Sequence, residues 1–484
     1  MGGPTDHSRA VVPALLTPAT ISRLEARAAT GVAKARRGGS PVLVAVTELL
    51  ARPLDPAAVV MAARAQVDAW GVLDQPDNDR SSVATLGCAH LIEVGGSDRF
   101  GSAAAEWREL VSNAEADDPE GDAGVGPIAF GGFAFADEVP AAGPWGMFGA
   151  GSMVVPQLSF VRRGEEIHLT VQTVVSADDL EQEVVSRALA LIGRLDLSAT
   201  LDGRDGPHSS VGTRISSALS PAHYVGAVGT VVDAIAEGTV SKAVLAREVL
   251  VEREQEHDPE AVMAVLREVF PSCFLYAVGR GTSTFVGASP ELLIRREGLR
   301  AATVALAGSA PRSADPAVDD HIAERLLRSE KDRAEQRIVT ERISEALDPV
   351  SVWVTAPDEP TMAKVANIQH LASPIRAQLR SSVSAVDLVG RLHPTPAVGG
   401  EPWTAAKDLI ARCEGLDRGW YAGPIGWTDA SEDGEFCVAL RGALLRGREA
   451  RCYAGVGVVE GSIPEAELAE TELKLQAILP IVSA

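Results

Sequence analysis

The stretch SKAVLAREV, residues 241–249, has the pattern of a β-strand whose apolar run 243–246 lies between two cations, Lys242 and Arg247. Such a strand is either an ordinary amphipathic edge or a strand that holds a base inside a pocket. For an isolated lysine the exposed strand end is the more frequent case. Spacing alone leaves both alternatives open, and the segments around the strand must decide between them.

Strand and helix patterns alternate on the C-terminal side of residue 215, which predicts an α/β or α+β fold with extended mixed sheets. A long helical pattern covers roughly 317–347, and two strand-like segments with glycine turns lie between 419 and 458. In the first half, Ala/Arg-rich helical patterns precede strands. The other predicted helices are 221–238 and 258–270, and the predicted strands include 127–135, 152–161, 273–279, 283–288, 291–298 and 299–308.

Two stretches read as exposed connections: the acidic, glycine-rich 113–126 and the Ser/Gly/Asp-rich 196–214. The second divides the chain into 1–215 and 216–484. We expect the first part to contribute helices and strands to a shared fold and the second to carry the site.

The formal net charge of −22 over 484 residues disfavours nucleic acid or an anionic membrane surface as a partner, because both require a basic footprint. An anionic ligand would need a locally positive site. The five cysteines are scattered without a CxxC or CxxH pair, as in reduced cytosolic proteins. Neither an apolar signal core at residues 1–10 nor a long apolar window is present, so we expect a soluble, cytoplasmic protein.

The segment 329–347, SEKDRAEQRIVTERISEAL, predicts a helix with two acids on its apolar stripe. At 100° per residue, Asp332 and Glu335 project along that stripe. Carboxylates on a core-facing stripe are costly unless they are paired or bound to a cation. The alternative to a functional role is a first-turn position that favours the helix dipole, with an ion pair to Lys331 or Arg333.

A second acidic pair lies in PEAELAETELKLQAIL, residues 464–479, where Glu467 and Glu470 share one helix face. A simple ion pair between Glu470 and Lys474 is the commoner arrangement for this helix alone. Two acidic helix faces together would nevertheless supply oxygen ligands for Mg²⁺, which usually takes one or two carboxylates and leaves room for water and an anionic substrate.

Glu291 follows Ser289 and Pro290 at the start of an apolar strand, so a turn directs its carboxylate towards the strand mouth. The alternative is an edge-strand charge that discourages aggregation. Gly455 and Gly457 form a GxG step whose backbone N–H groups can approach an anion. The next glycine comes one residue late for a dinucleotide fingerprint and no GxxxxGK[ST] is present, which disfavours NAD and ATP.

Together these segments resemble the chorismate-utilising enzymes, the family that contains isochorismate, salicylate, anthranilate and aminodeoxychorismate synthases. The similarity runs in family order from about residue 220 to the C-terminus, and GGFAFADE followed by WGMFG extends it into the first half. The matching segments are SKAVLAREV, FVGASPELL, ALAGSAPR, SEKDRAEQRIV, NIQHLASPI, LHPTPAVGG, GWYAGPIGW, FCVALRGALL and YAGVGVVEGSIPEAELAETELK.

The resemblance implies an α+β (mixed α/β) fold in which two large antiparallel sheets pack together with helices outside. It also implies chorismate as substrate and Mg²⁺ as cofactor. Lys242 matches the general base and Glu291 the general acid. Glu335 and Glu470 match the magnesium-binding glutamates, with Asp332 and Glu467 beside them. The substrate contacts are matched by His370 near the reacting ring, Ala397, Tyr421, Arg441, Gly455 and Gly457.

Three positions indicate which reaction of the family to expect. Anthranilate synthases carry Gln where Lys242 stands, and aminodeoxychorismate synthases usually carry a nucleophilic lysine where Ala307 stands, so water is the expected nucleophile. Salicylate synthases carry Thr where Ala397 stands, and that hydroxyl is associated with eliminating pyruvate. The resemblance therefore implies an isomerase that stops at isochorismate, which feeds menaquinone, catechol siderophores and salicylate.

Two other functions remain as alternatives: a salicylate synthase, and an inactive homologue that acts as a binding or regulatory subunit. We expect no nucleic-acid, membrane or glutaminase partner, and a monomer or weak homo-oligomer.

Overall fold

The computed structural model describes residues 15–78, 80–117, 123–201, 212–365 and 368–484. The centres of both predicted connections, 118–122 and 202–211, lie outside the described residues. Residues 1–14 also lie outside the described residues, and they include residues 1–10, for which no apolar signal core was predicted.

Two large sheets form the centre of the molecule. A thirteen-stranded sheet has the order β10-β11-β23-β22-β13-β12-β2-β3-β8-β9-β1-β5, with β19 paired to β11, and a ten-stranded sheet has the order β16-β18-β15-β14-β21-β20-β6-β7-β4, with β17 paired to β18. The strands are β1 Val42–Leu49, β2 Ala69–Gln75, β3 Ser81–Leu86, β4 His90–Val94, β5 Glu115–Ala116, β6 Ile128–Phe133, β7 Gly151–Val155, β8 Leu158–Arg163, β9 Glu166–Val175, β10 Arg214–Ser217, β11 Lys242–Glu252, β12 Phe274–Arg280, β13 Ser283–Ser289, β14 Leu292–Glu297, β15 Arg300–Pro311, β16 Ser351–Thr355, β17 Thr361–Lys364, β18 Ile368–Leu379, β19 Gly400–Glu401, β20 Pro424–Asp429, β21 Gly434–Val438, β22 Gly442–Arg446 and β23 Glu449–Val458.

Helices lie outside the sheets, and most begin at a residue that caps them. Asp55, Ser220 and Asp258, for example, each accept a backbone N–H bond just before a proline-initiated helix. The described α-helices are α1 Pro18–Gly38, α2 Pro56–Ala63, α3 Arg99–Ser112, α4 Glu181–Ile192, α5 Pro221–Ala236, α6 Pro259–Val269, α7 Pro316–Arg328, α8 Glu330–Leu347, α9 Ala385–Leu392, α10 Trp403–Glu414, α11 Pro464–Leu475 and α12 Leu479–Ser483.

Three of the predicted elements were wrong, and the first is the strand predicted at 152–161, which forms β7 and β8 in different sheets. The pattern at 317–347 forms two helices, because Ser329 is extended (φ −67°, ψ 116°) and its hydroxyl accepts a hydrogen bond from the Asp332 N–H at 3.3 Å. Ser329 therefore ends α7 and caps α8. The two strand-like segments predicted between 419 and 458 form four strands, β20 to β23, because tight turns at 430–433 and at Gly447 fold each segment back on itself.

Apolar side chains cover both faces of the larger sheet. One face packs against helices that include α1, α2 and α6. The other packs against the smaller sheet, where Tyr276 and Phe285 of the larger sheet share a buried cluster with Phe130 and Phe436 of the smaller one. Burying each such aromatic side chain stabilises the fold by about 1.5–3 kcal/mol. The predicted pair of packed sheets with helices outside is confirmed.

Strands from the two parts of the chain pair directly. β2 is the neighbour of β12 in the larger sheet, and β6 is the neighbour of β20 in the smaller sheet. Each sheet therefore contains strands from both sides of residue 215. The division of the chain into 1–215 and 216–484 stays a prediction. The predicted site residues come from β11, β18, β23, α8, α11 and adjoining turns.

Candidate active site

A cleft of about 920 Å³, partly open to solvent, lies between α8, α11 and the strands β15, β18 and β23. Every predicted site residue except Lys242 lines it. The lining members are Glu291, Asp332, Glu335, His370, Ala397, Tyr421, Arg441, Gly455, Gly457, Glu467 and Glu470. Residues up to 179 positions apart in the sequence thus meet in one place, as the resemblance implies.

Lys242 is fully buried beneath the wall of the cleft, at the first position of β11. Its Nζ lies 2.8 Å from Glu335 Oε1, an ion pair without hydrogen-bond alignment. The side chain reaches this position because residue 457 is glycine. A Cβ there would come within 2.9 Å of Lys242 Cε and 2.5 Å of Glu335 Oε1. Lys242 is therefore not an exposed strand end.

Glu291 lies in the turn between β13 and β14 and is 5% exposed. Its backbone N–H donates to Ser289 Oγ at 3.2 Å and its C=O accepts from Val438, so the turn is fixed at both ends. Burial raises the pKa of its carboxyl to about 7, although the charges of Lys242, Lys474 and Arg441 oppose this. A carboxyl near neutral pKa in a cleft fits a proton donor better than an edge-strand charge.

His370 and Arg441 form a buried hydrogen-bonded pair in the cleft. Arg441 Nη2 donates to His370 Nε2 at 2.7 Å, and His370 Nδ1 donates to the Gly308 carbonyl at 3.1 Å. Burial, together with the Arg441 charge, holds the pKa of His370 well below its usual range, so the ring is neutral. Among the described residues Arg441 Nη1 has no hydrogen-bond partner. This buried donor remains available to an acceptor on a ligand.

Tyr421 and the two glycines shape the opposite part of the cleft. Tyr421 is 4% exposed and stacks on Tyr453, with ring centroids 5.2 Å apart. A Cβ on Gly455 would lie 3.2 Å from the Tyr421 hydroxyl. Gly455 and Gly457 therefore keep the backbone of β23 accessible where any other residue would place a side chain.

The four acids come from α8 and α11, as the stripe analysis predicted. Glu467 is 3% exposed and pairs with Lys331 at 2.9 Å, and Glu470 pairs with Lys474 at 3.0 Å. Glu470 thus forms the ordinary ion pair with Lys474 and also lines the cleft. Lys331 pairs with Glu467 and Arg333 with Glu359, so neither cation forms the ion pair within α8 that was the alternative for Asp332 and Glu335.

Like charges lie close together in this acidic cluster, and the pKa values of two of its members are shifted. Burial, with the neighbouring Glu335 and Glu470, raises the pKa of Asp332. For Glu470, burial acts in the same direction but is outweighed by Lys474 and a hydrogen bond from Ser309, so its pKa is lowered and it remains ionised. No group of three or more His, Cys, Asp or Glu side chains arranged as a metal site was found in the described ranges. Two glutamates with water and substrate oxygens suffice for Mg²⁺.

The sequence predicted no site role for several polar residues of the cleft, among them Lys474 and Ser309. Lys474 Nζ donates to the Gly455 carbonyl at 3.0 Å in addition to pairing with Glu470, so it ties α11 to β23. Ser309 Oγ donates to Glu470 Oε1 at 2.6 Å because a bulge at Gly308 (φ +67°) turns β15. Helical spacing indicated only the Lys474–Glu470 contact, and the sequence showed no sign of the bulge.

Features outside the cleft match their more ordinary interpretations. Arg247 donates to Ser217 Oγ at 2.8 Å and pairs with Glu472, so it joins β11 to β10 and α11 and is not equivalent to Lys242. All five cysteines are free thiols. Within the part of the chain that the structure describes, no helix combines the length and the apolar character needed to span a bilayer.

Comparison with known proteins agrees with this geometry. The family model for chorismate binding enzymes matches residues 29–483. The chain is 37% identical over 360 residues to isochorismate synthase MenF of Bacillus subtilis, and the matched region covers 74% of this chain and 75% of that protein. It is 34% identical over 448 residues to the salicylate biosynthesis isochorismate synthase of Pseudomonas aeruginosa, at 92% and 91% coverage.

A solved structure confirms the fold. The menaquinone-specific isochorismate synthase MenF of Escherichia coli superposes with a TM-score of 0.75 at 24% identity, covering 94% of this chain and 99% of that one. From the family match over nearly its whole length, and from relatives of this identity, the chain belongs to the chorismate-binding enzyme family.

Proposed function

We propose that this chain is an isochorismate synthase that requires Mg²⁺. Water attacks C2 of chorismate, the C4–OH bond breaks, and the ring double bonds shift, so that the product has the same composition as the substrate. The observation that carries this proposal is that one cleft brings together a buried lysine, Lys242, and a buried acid, Glu291, whose pKa is about 7, while Ala307 in its wall offers no nucleophile. The isochorismate synthase relatives support it.

In this mechanism Lys242 takes a proton from the attacking water and Glu291 gives a proton to the departing hydroxyl. Glu291 suits its role because burial keeps a large fraction of its carboxyl protonated near neutral pH. Arg441 is the candidate contact for a substrate carboxylate, since it is buried and its Nη1 is unpaired among the described residues. Neutral His370 holds the other side of the guanidinium, which leaves the positive charge of Arg441 for the anionic substrate.

The residues present fit a magnesium ion. Glu335 and Glu470 would hold it, with Asp332 and Glu467 beside them. Besides burial, the negative charges of Glu335 and Glu470 contribute to raising the pKa of Asp332, and a bound cation would neutralise this excess negative charge. When bound, the ion would supply positive charge for a substrate carboxylate in an otherwise acidic protein.

Metal removal is the first test. Chelation with EDTA is expected to abolish chorismate turnover, and added Mg²⁺ is expected to restore it, because the ion would supply the positive charge that an anionic substrate needs beside Glu335 and Glu470. Chorismate consumption followed by chromatography at fixed pH measures this. Unchanged activity in EDTA would remove the proposed metal role of Glu335 and Glu470.

Ala397 determines the expected product. It lines the cleft as a methyl group, so no hydroxyl is present where salicylate synthases carry one. Wild-type enzyme with chorismate and Mg²⁺ should release isochorismate, and Ala397→Thr should raise the fraction converted to salicylate and pyruvate. Stoichiometric salicylate from the wild type would favour the salicylate synthase alternative. Absence of any chorismate consumption would favour the inactive homologue.

We also propose that the protein acts in the cytoplasm, without a glutaminase subunit, as a monomer or weak homo-oligomer. A nucleophile taken from water makes an ammonia-supplying partner unnecessary. The downstream use of isochorismate, in menaquinone, siderophore or salicylate formation, depends on other enzymes.

A further inference from the structure

A buried ion pair adjoins the cleft, between the end of α10 and the segment that leads to β20. Glu414 is 6% exposed and Arg418 is 4% exposed. Arg418 Nε donates to Glu414 Oε2 at 2.9 Å, and Arg418 Nη2 donates to Glu414 Oε1. The two side chains thus form a bidentate pair, the strongest geometry for an arginine and a carboxylate.

The pair also bonds backbone groups of two segments that carry proposed site residues. Arg418 Nη2 donates to the Val244 carbonyl at 2.8 Å, and the Ala246 N–H donates to Glu414 Oε1 at 2.6 Å. Both groups belong to β11, within four residues of Lys242. Arg418 Nη1 donates to the Val398 carbonyl at 2.9 Å, next to Ala397. One side-chain pair therefore fixes the strand of the base against the turn of Ala397.

Two further contacts extend this network. The backbone carbonyl of Arg418 accepts from the Tyr421 N–H at 2.9 Å, which links the pair to a proposed substrate contact. The guanidinium lies 4.0 Å from the ring centroid of Phe135, so Arg418 is packed on one face. Arg418 also lines the cleft itself, whereas Glu414 lies behind it.

Stability alone does not account for a pair of this kind. Removing two charges from water is costly, and well-packed apolar residues of similar volume often stabilise a fold as well or better. Apolar side chains have no directional bonds, however, and would leave the carbonyls of Val244 and Val398 and the Ala246 N–H without these partners. The distinctive property of the pair is that it orients three backbone groups at once.

We propose that Glu414 and Arg418 are positioning residues for the reaction, which hold the strand of Lys242 in register with the turn of Ala397 and the backbone of Tyr421. This inference rests on the proposed function. A displacement of about 1 Å in a reacting group can cost about 10²-fold in rate, so loss of the pair acts on kcat through the position of Lys242.

The test uses the full-length enzyme with Glu414→Gln and, separately, Arg418→Lys. The first keeps an oxygen acceptor but removes the charge, and the second keeps the charge but removes the planar fork. Each is expected to lower kcat by at least about tenfold while KM for chorismate changes by less than about threefold. Amide hydrogen exchange at Ala246 is expected to accelerate in both, because its acceptor is loosened.

The matched control is Asp74→Asn. Asp74 is also buried and paired with an arginine, Arg267 at 2.8 Å, but it lies on the helix-covered side of the larger sheet. The Asp74→Asn variant should have a lower thermal stability than the wild type, with kcat within about threefold of the wild-type value. If Glu414→Gln and Arg418→Lys also keep wild-type kcat, or if kcat falls only in proportion to the unfolded fraction, the positioning role is wrong. Wild-type enzyme that makes no isochorismate would instead refute the proposed function.

Discussion

Lys242→Gln is expected to lower kcat for water-dependent isochorismate formation by about 10²- to 10⁴-fold, the usual contribution of a positioned general base. The amide cannot accept the proton of the attacking water. The lysine is fully buried and its Nζ is 2.8 Å from Glu335, so solvent has no direct route to replace it as a base. Single-turnover assays with chorismate, over a range of Mg²⁺ concentrations, separate this loss from altered metal binding.

The other cation of the same strand provides the control. Arg247→Gln removes bonds to Ser217 and Glu472 that lie outside the cleft. It is expected to cost about 1–2 kcal/mol of stability and to leave kcat within about threefold of wild type. Full water-dependent activity in Lys242→Gln would rule out Lys242 as the base. An equal loss in both variants would indicate a structural role for the strand rather than proton transfer.

Glu291→Gln is expected to reduce kcat by a similar factor, about 10²- to 10⁴-fold, because the amide cannot donate a proton to the departing hydroxyl. Since burial raises the pKa of Glu291 to about 7, the donor form of the wild type is depleted above that pH. The wild-type kcat/KM should therefore fall as pH rises through about 7, by about tenfold per unit. A profile that is flat from pH 6 to 9 would contradict the assignment.

The same carboxyl gives a second, independent readout in unfolding experiments without substrate or metal. Its folded pKa of about 7 lies above the unfolded value of about 4.5, so between these pH values the folded state binds more protons. The wild type should lose up to about 3 kcal/mol of stability as pH rises through this window, and Glu291→Gln should not. If the stability difference between the two proteins is equal at pH 4 and pH 8, burial does not hold the proton.

Local sequence patterns predicted the helix faces of the site correctly. The stripe on α8 placed Asp332 and Glu335 toward the cleft, and the spacing on α11 placed Glu467 and Glu470 on one face. Such predictions succeed because helical geometry fixes which side chains share a face regardless of what packs there. The same periodicity missed the break at Ser329, because the apolar repeat continues in both helices on either side of the cap.

Periodicity could not determine whether Lys242 was exposed or buried. For any single lysine at a strand end, exposure was the better guess. Its burial follows from Gly457, 215 positions away, which leaves room for the lysine side chain beside Glu335. The partner of Lys331 and the bulge that brings Ser309 to Glu470 depend in the same way on contacts between distant segments.

The sequence by itself determined the family, the two-sheet fold and the chemical identity of the residues at each position of the site. Only the tertiary structure decided that Lys242 lies beneath the cleft, that burial brings the Glu291 pKa to about 7, and that Glu414 and Arg418 join β11 to the turn of Ala397. The physical reason is that burial and ion pairing are properties of segments that meet in space. A repeat of two or 3.6 residues specifies a face, but it does not specify what that face will contact.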